Sequence, residues 1–240
     1  MRMRKKKNGE ARLNAHSDLL LEKIDEPMSD PASVIGMAGA PVFLEIGAGK
    51  GGFALGMAKK YPNAAYFAME KISDCVVLSV EKVAESDTKI ENLRFVVDTA
   101  DNLSRIFECS TVDHIFLNFS DPWTKKGYAK RRLTHRRYLA LYLNLLRDGG
   151  TLTFKTDNDA LFDFSLSEVE SLGIPLEFMT RDLHASARAE RNVMTEYETS
   201  FSEQGKNINM LEFKKPTGFK IDIPEELRRD RKEYGRENDT

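Results

Sequence analysis

The sequence predicts an α/β fold in which a mostly parallel sheet is covered by helices, and three observations carry that expectation. From Pro41 onward, short apolar runs alternate with longer amphipathic stretches, the pattern of strand and helix units that feed a parallel sheet. The first run ends in Glu45-Ile46-Gly47-Ala48-Gly49-Lys50-Gly51-Gly52, a glycine-rich turn at the strand-to-helix junction where open α/β sheets bind ligands. With 240 residues, 41% of them apolar and 31% charged, the chain can bury a full core as one domain. That composition excludes a disordered chain and a disulfide-stapled miniature.

The elements follow in order. Residues 42–47 form a short buried strand closed by glycines, and 52–60 the helix after it. Residues 64–69 form the second strand, ending in Glu70. Ser73 is the expected N-cap of a helix to about 85, because its hydroxyl can accept a free N–H of the first turn. Residues 93–97 are the third strand, 103–107 a brief helix and 112–118 the fourth strand. Thr134 is expected to cap an amphipathic helix carrying Tyr138, Leu141, Leu145 and Leu146, which stops at Asp148-Gly149-Gly150. Residues 151–156 form the fifth strand, 158–172 a helix and 176–179 a further strand. Residues 199–203 are expected to pair with 209–213 across Gln204-Gly205-Lys206 as a terminal hairpin. Spacing alone leaves the strand order open.

The 36 Lys and Arg and 38 Asp and Glu give a net charge of −2, but the charge is segregated, and the local field governs polyanion binding. Residues 1–13 hold Arg2, Arg4, Lys5, Lys6, Lys7 and Arg12 against Glu10 alone and read as a mobile basic arm. Residues 124–137 hold Lys125, Lys126, Lys130, Arg131, Arg132, Arg136 and Arg137 with no acid, interleaved with Tyr128, His135 and Tyr138. This is the strongest polyanion signal in the chain; the bland alternative is a solubilising face. Residues 220–240, six basic and seven acidic in near alternation, read as a solvated helix or frayed tail. The longest apolar run, 34–44, is broken by Gly36, Gly39 and Pro41 and is about half a bilayer span. Asn8, Gly9, Glu10 and Arg12 stand where a signal peptide needs its apolar stretch. Cys75 and Cys109 have no paired spacing, and His16, His114, His135 and His184 lie far apart. The expectation is a cytoplasmic protein without a membrane span and without bound metal.

Gly47, Gly49 and Gly52 satisfy the dinucleotide pattern, and Glu70 falls where that pattern places an acid for ribose hydroxyls. Glu45 adds something the pattern does not require. A carboxylate at an apolar strand end is costly unless a cation meets it, which points to a cationic ligand or, alternatively, to a core lysine. S-adenosylmethionine carries an amine and a sulfonium, whereas the pyrophosphate of NAD would be repelled. The fourth strand ends in Asn118-Phe119-Ser120-Asp121-Pro122-Trp123, facing the same crevice. There Asp121 is a fixed acceptor, Pro122 restrains the loop, and Trp123 serves a base or the core. The basic run follows directly and could neutralise phosphates. Lys155-Thr156-Asp157 ends the fifth strand, and Thr195-Glu196-Tyr197-Glu198 follows later; both supply carboxylates able to read a guanine edge, or merely a helix cap or turn.

Taken together these residues resemble the bacterial tRNA (guanine-N7-)-methyltransferase family. The resemblance covers residues 43–213 and rests on EIGAGKG at 45–51, NFSDPW at 118–123, KRRL at 130–133, FKTD at 154–157 and TEYE at 195–198. The glycine motif is shared by many methyltransferases; its combination with the others is specific to this family. The resemblance implies a class I methyltransferase Rossmann-like fold, with a mostly parallel seven-stranded sheet, helices on both faces and a C-terminal antiparallel hairpin. It also implies a domain at 41–216, between a basic arm and lead-in at 1–40 and a charged tail at 217–240. S-adenosylmethionine would be bound by Glu45, Gly47, Gly49, Gly51, Glu70, Asp98 and Asp121, with Asp121 also catalytic. Lys125, Asp157, Thr195, Glu196, Tyr197 and Glu198 would contact the substrate. Lys126, Gly127, Tyr128, Ala129, Lys130, Arg131 and Arg132 would contact RNA. The implied partner is tRNA, with guanosine 46 of the variable loop as the target, and the enzyme would act as a monomer or homodimer. Thr124, Gly127 and Tyr128 depart from the Pro, Arg and His usual in the family. Three other readings are an NAD-dependent oxidoreductase, a noncatalytic RNA-binding module and a methyltransferase for an amino nitrogen of a base.

Overall fold

The structure is a computed structural model and describes residues 6–225. The elements are α1 (Gly9–Asn14), α2 (Pro31–Val34), β1 (Val42–Ile46), α3 (Gly52–Lys60), β2 (Ala65–Glu70), α4 (Ser73–Ala84), β3 (Leu93–Val97), α5 (Leu103–Ile106), β4 (Val112–Asn118), α6 (Arg136–Leu145), β5 (Leu146–Thr156), α7 (Asp159–Ser171), β6 (Leu176–Thr180), α8 (Glu196–Glu203) and β7 (Asn209–Lys214). The seven strands form a single sheet in the order β3-β2-β1-β4-β5-β7-β6. The ladders from β3 to β5 are parallel, and β7 runs antiparallel to both β5 and β6. Order reverses between β1 and β4, so the crevice beyond their carboxyl ends is the place for a ligand.

Side chains alternate across the sheet. Val42, Leu44 and Ile46 of β1 join Ile115, Leu117, Leu152, Phe154 and the helices α5, α6 and α7 in the larger core. The opposite face packs Tyr66, Ala68, Phe95 and Phe116 against α3 and α4. That second face also carries the polar residues Glu45, Asn118 and Lys155, one each from β1, β4 and β5.

Several sequence expectations need correction. Residues 199–203 are helical, not a hairpin strand; Thr195 and Glu198 form a capping box that starts α8, and this local signal outweighs the β-propensity of the hydroxyl residues that follow. The antiparallel partners are instead β6 and β7. The helix expected to stop at Asp148-Gly149-Gly150 ends at Leu145, and β5 begins at Leu146. Gly149, at φ 75°, shapes an irregular stretch inside the strand. Thr134 is not the cap of α6: its hydroxyl is bonded to Ser165 at 2.7 Å, and the His135 ring accepts from the Arg137 N–H. Ser73 is the first helical residue of α4, after Ile72 at the N-cap.

The mobile arm is ordered over its later part. Arg12 of α1 donates to both carboxylate oxygens of Glu81 on α4 at 2.7 and 2.6 Å, and the Lys6 N–H to Asp74 at 2.7 Å. Residues 1–5 of that arm lie outside the described residues. Phe219, Ile221 and Ile223 pack on the larger core, so the tail expected from residue 217 begins as docked chain; its residues 226–240 also lie outside the described part. Among the described residues, no helix is long and apolar enough to cross a membrane.

Candidate active site

Five carboxylates stand at or just beyond the carboxyl ends of five neighbouring strands: Asp98 after β3, Glu70 on β2, Glu45 on β1, Asp121 after β4 and Asp157 after β5. The parallel ladders place them along one edge of the sheet, so the fold gathers what the chain spreads over more than a hundred residues.

The glycine turn lies between Glu45 and α3. Gly51 has φ 73°, and a Cβ there would lie 2.7 Å from the Ser79 Cβ, so only glycine fits. Gly49 has φ 57°, and a Cβ there would meet nothing within 4 Å, which leaves the backbone open to a ligand. Glu70 accepts from the N–H of Gly49 at 3.0 Å and of Ile72 at 2.9 Å, so it shapes the turn as well as facing the crevice. Asp98 accepts from the Thr99 N–H at 2.6 Å and from Asn102 at 2.7 Å.

Glu45 is 2% exposed. It accepts from Asn118 Nδ2 at 3.1 Å and from the Tyr66 hydroxyl at 3.4 Å. Burial pushes its carboxyl up to about 7, although Asn118, the Lys155 cation and Tyr66 pull the other way. Lys155 is close enough to be felt, but its ammonium is spent elsewhere: on Glu198 Oε2 at 2.7 Å, Asn192 Oδ1 at 2.9 Å and the Val193 carbonyl at 3.0 Å. The core lysine raised as an alternative partner therefore exists and makes its ion pair with a different acid. Beside Glu45, the Asn118 Oδ1 is buried with no hydrogen-bond partner. A carboxylate without a bonded cation and an orphan carbonyl oxygen, next to an open glycine turn, form an acceptor set for an ammonium group. These residues fit S-adenosylmethionine.

The loop after β4 is held in an uncommon shape. Phe119 and Trp123 have φ of 50° and 40°, conformations that persist for such side chains only when the surroundings enforce them. The Phe119 N–H donates to the Lys155 carbonyl at 2.9 Å, and Arg132 donates to the carbonyls of Pro122 at 2.9 Å and Trp123 at 3.1 Å. Between those anchors Asp121 is exposed and has no hydrogen bond or ion pair among the described residues.

The basic run divides by function. Arg132 holds the Asp121 loop. Arg136 pairs with Glu168, donating at 3.0 and 2.8 Å. Arg137 donates to Asp101 at 3.3 Å, to Tyr138 at 2.7 Å and to the Lys130 carbonyl at 2.8 Å. Lys125, Lys126, Lys130 and Arg131 are left facing solvent. The Arg131 guanidinium lies 5.1 Å from the Trp123 ring centre and 4.7 Å from that of Tyr128, so two aromatic rings steady it. Gly127 is exposed, Ala129 half-buried, and both belong to the 3-10 segment Lys126–Arg131.

Thr195 and Glu198 carry the capping box of α8, while Glu198 is fully buried and also accepts from His184 at 2.8 Å and from Asn192. Burial alone would raise the Glu198 carboxyl; Lys155, His184 and Asn192 outweigh it and hold it below its ordinary range. Glu196 pairs with Lys82. Tyr197 is 61% exposed and stacks on Phe201 with ring centres 6.4 Å apart. Asp157 faces Lys206 at 3.6 Å. Sequence reasoning assigned no role to Asn118, Lys155, His184 or Asn192. The available signal was Lys155, a cation inside an apolar strand.

A family model described as a putative methyltransferase matches residues 39–211. A tRNA (guanine-N(7)-)-methyltransferase from Lysinibacillus sphaericus (strain C3-41) is 39% identical over 212 residues, covering 88% of this chain and 97% of that protein. The chain belongs to the tRNA (guanine-N7-)-methyltransferase family. As a member, it is an S-adenosylmethionine-dependent methyltransferase, and the oxidoreductase reading falls. The methyltransferase shares its fold with a solved antibiotic-related methyltransferase at 14% identity and TM-score 0.57, covering 80% of this chain and 95% of that one. The antibiotic-resistance methyltransferase Kmr, at 17% identity and TM-score 0.56, covers 83% of this chain and 99% of its own.

Proposed function

We infer that this methyltransferase modifies N7 of a guanosine in tRNA, with position 46 of the variable loop as the target, and that it works in the cytoplasm. The observation that carries the reading is the row of carboxylates along the strand ends, continued by the Asp121 loop into an outward-facing basic surface. The acids suit a cationic cofactor and the donors of a guanine edge; the basic surface suits phosphates.

The cofactor supplies a methyl group on a sulfonium. Guanine N7 already has a lone pair, so nothing needs to be deprotonated before attack, and the protein's work is alignment. Glu45 and Asn118 would receive the cofactor's ammonium, Glu70 and Asp98 its ribose, and the glycine turn would allow its close approach. Asp121, free of other partners, and Asp157 accept from N1 and N2 of the guanine or help to anchor the amine. A carboxylate near the ring also offsets the positive charge that develops at N7. Lys125 and residues 195–198 flank the base, and Lys126, Lys130 and Arg131 hold the backbone. A base in the folded tRNA must leave its stack to reach this crevice, and Trp123 or Tyr128 offers a surface to receive it.

The test is incubation with labelled S-adenosylmethionine and unmodified tRNA, followed by nucleoside analysis and mapping of the modified position. The expected product is 7-methylguanosine at position 46. A methyl group on an amino nitrogen, or none on tRNA, would refute the assignment.

A further inference from the structure

Lys155 is a buried cation that the transfer reaction does not itself require. It is 2% exposed, all three ammonium donors are used within the protein, and its charge lies 4.9 Å from the Phe53 ring centre. A residue that only filled this strand end would be Val or Leu, because burying an ammonium is costly even when it is paired.

Its place in the sheet suggests its use. Lys155 on β5 lies opposite Asn118 on β4, and Asn118 donates to Glu45 on β1. On its other side Lys155 grips Glu198 at the start of α8. The groups facing Glu45 are Tyr66 and Glu70 from β2, Asn118 from β4 and Lys155 from β5. Those facing Lys155 are Phe53 from α3 and Glu198 from α8, and Glu198 is met in turn by His184 and Asn192. From this side Glu45 therefore feels the Lys155 charge, and burial works against that charge while Glu198 sustains it.

We propose that Lys155 is a positioning residue with two duties: it docks residues 195–198 against β5 through Glu198, and, with only Asn118 standing between them in the sheet, it is the cation that supports the Glu45 carboxylate. Its importance for methyl transfer rests on the reading that Glu45 receives the cofactor's ammonium, but its test does not.

The experiment is a carbon-13 NMR titration of the Glu45 carboxyl in cofactor-free protein, assigned by its absence in Glu45→Gln. In Lys155→Met the titration is expected to move up by about one pH unit, and in Lys155→Arg to stay close to the wild type. In Glu198→Gln, which removes the acid that keeps the buried Lys155 ammonium charged against desolvation, it should move up as well. A lysine that served only to hold the turn through its particular fit to Glu198, Asn192 and the Val193 carbonyl would shift the titration in Lys155→Arg as much as in Lys155→Met, whereas a role of its charge is preserved by arginine. A downward shift in Lys155→Met or Glu198→Gln, no shift in either, or a Lys155→Arg shift as large as that of Lys155→Met overturns the proposal. If Lys155→Met does not fold, the other two variants decide: Arg must preserve the titration and Gln must raise it. Cofactor affinity over the same pH range tests the other assignment separately. A Glu45 titration that moves as expected while affinity ignores it would remove the cofactor contact at Glu45 and leave the role of Lys155 standing.

Discussion

Glu45→Gln exchanges a buried carboxyl for an amide of the same shape at the end of β1, and its effects on stability and on binding should have opposite signs. In the folded protein the carboxyl titrates at about 7 against an ordinary value of 4.5. The folded state thus favours the protonated form. This group's stabilising contribution is complete below about pH 4.5 and is lost as pH rises through 7, a change of roughly 3 kcal/mol. Glutamine does not titrate and can still accept from Asn118. At pH 8 the variant should therefore be more stable than the wild type by up to about 3 kcal/mol, or roughly 6 to 12 °C in Tm for a chain of this size, while at pH 4.5 the two should melt together. Binding runs the other way. If the cofactor's ammonium needs the ionised carboxylate, wild-type affinity should fall about 25-fold between pH 7.5 and 5.5, from the ionised fraction of an acid titrating near 7. Glu45→Gln should bind weakly at pH 7.5 and show little slope. Calorimetric titration with S-adenosylmethionine, kept below the pH at which its own amine deprotonates, measures one effect, and thermal melts at the two pH values measure the other. A variant less stable than the wild type at pH 8, or a wild-type affinity that is flat over this range, would refute the reasoning.

Other outcomes follow from the same geometry. Asp121→Ala should lower kcat by on the order of 10²- to 10³-fold with tRNA affinity within severalfold, since Asp121 supports no other contact; single-turnover kinetics and filter binding measure the two, and normal turnover would remove it from the catalytic role. Lys126→Ala combined with Lys130→Ala should weaken tRNA binding and reduce the salt slope by about 2, leaving melting unchanged; an unaltered slope would return these residues to a solvated face. Arg132→Ala should instead act on the loop, altering the emission of Trp123, the single tryptophan, before any RNA is added; an unchanged spectrum would mean the loop holds its shape without Arg132. Gly51→Ala should prevent cofactor binding or folding, because its Cβ would meet Ser79 at 2.7 Å with φ at 73°; tight S-adenosylmethionine binding by this variant would show that the turn can yield.

Much of this was legible along the chain, because strand, turn and motif signals are local. Residues 93–97, 112–118 and 52–60 fall on β3, β4 and α3, each a run whose apolar pattern and flanking turns agree. The errors arose where two local signals competed. TEYE offers carboxylates or a helix cap, and its Thr and second Glu make the cap; the helix that this box starts displaces the strand expected at 199–203. At 146–150 the two glycines of a strand irregularity imitated a helix end.

The site shows the same division. Which acids stand at the strand ends was visible from their neighbours: Glu45 before the glycines, Asp121 before proline, Asp157 at a strand end. What they contact was not, because hydrogen-bond partners come from distant strands and helices. Only the folded chain spends Arg132, Arg136 and Arg137 on a loop and two acids, reducing a uniform basic run to four outward charges. By itself, then, the sequence determined the fold class, the motif set and the family, all of which rest on residue type and spacing. The tertiary structure decided which charges remain available, that Lys155 serves Glu198 before Glu45, and that Asn118 keeps an orphan oxygen beside Glu45. Availability is what remains after every buried polar group has found its partner, and that pairing exists only once the strands lie side by side.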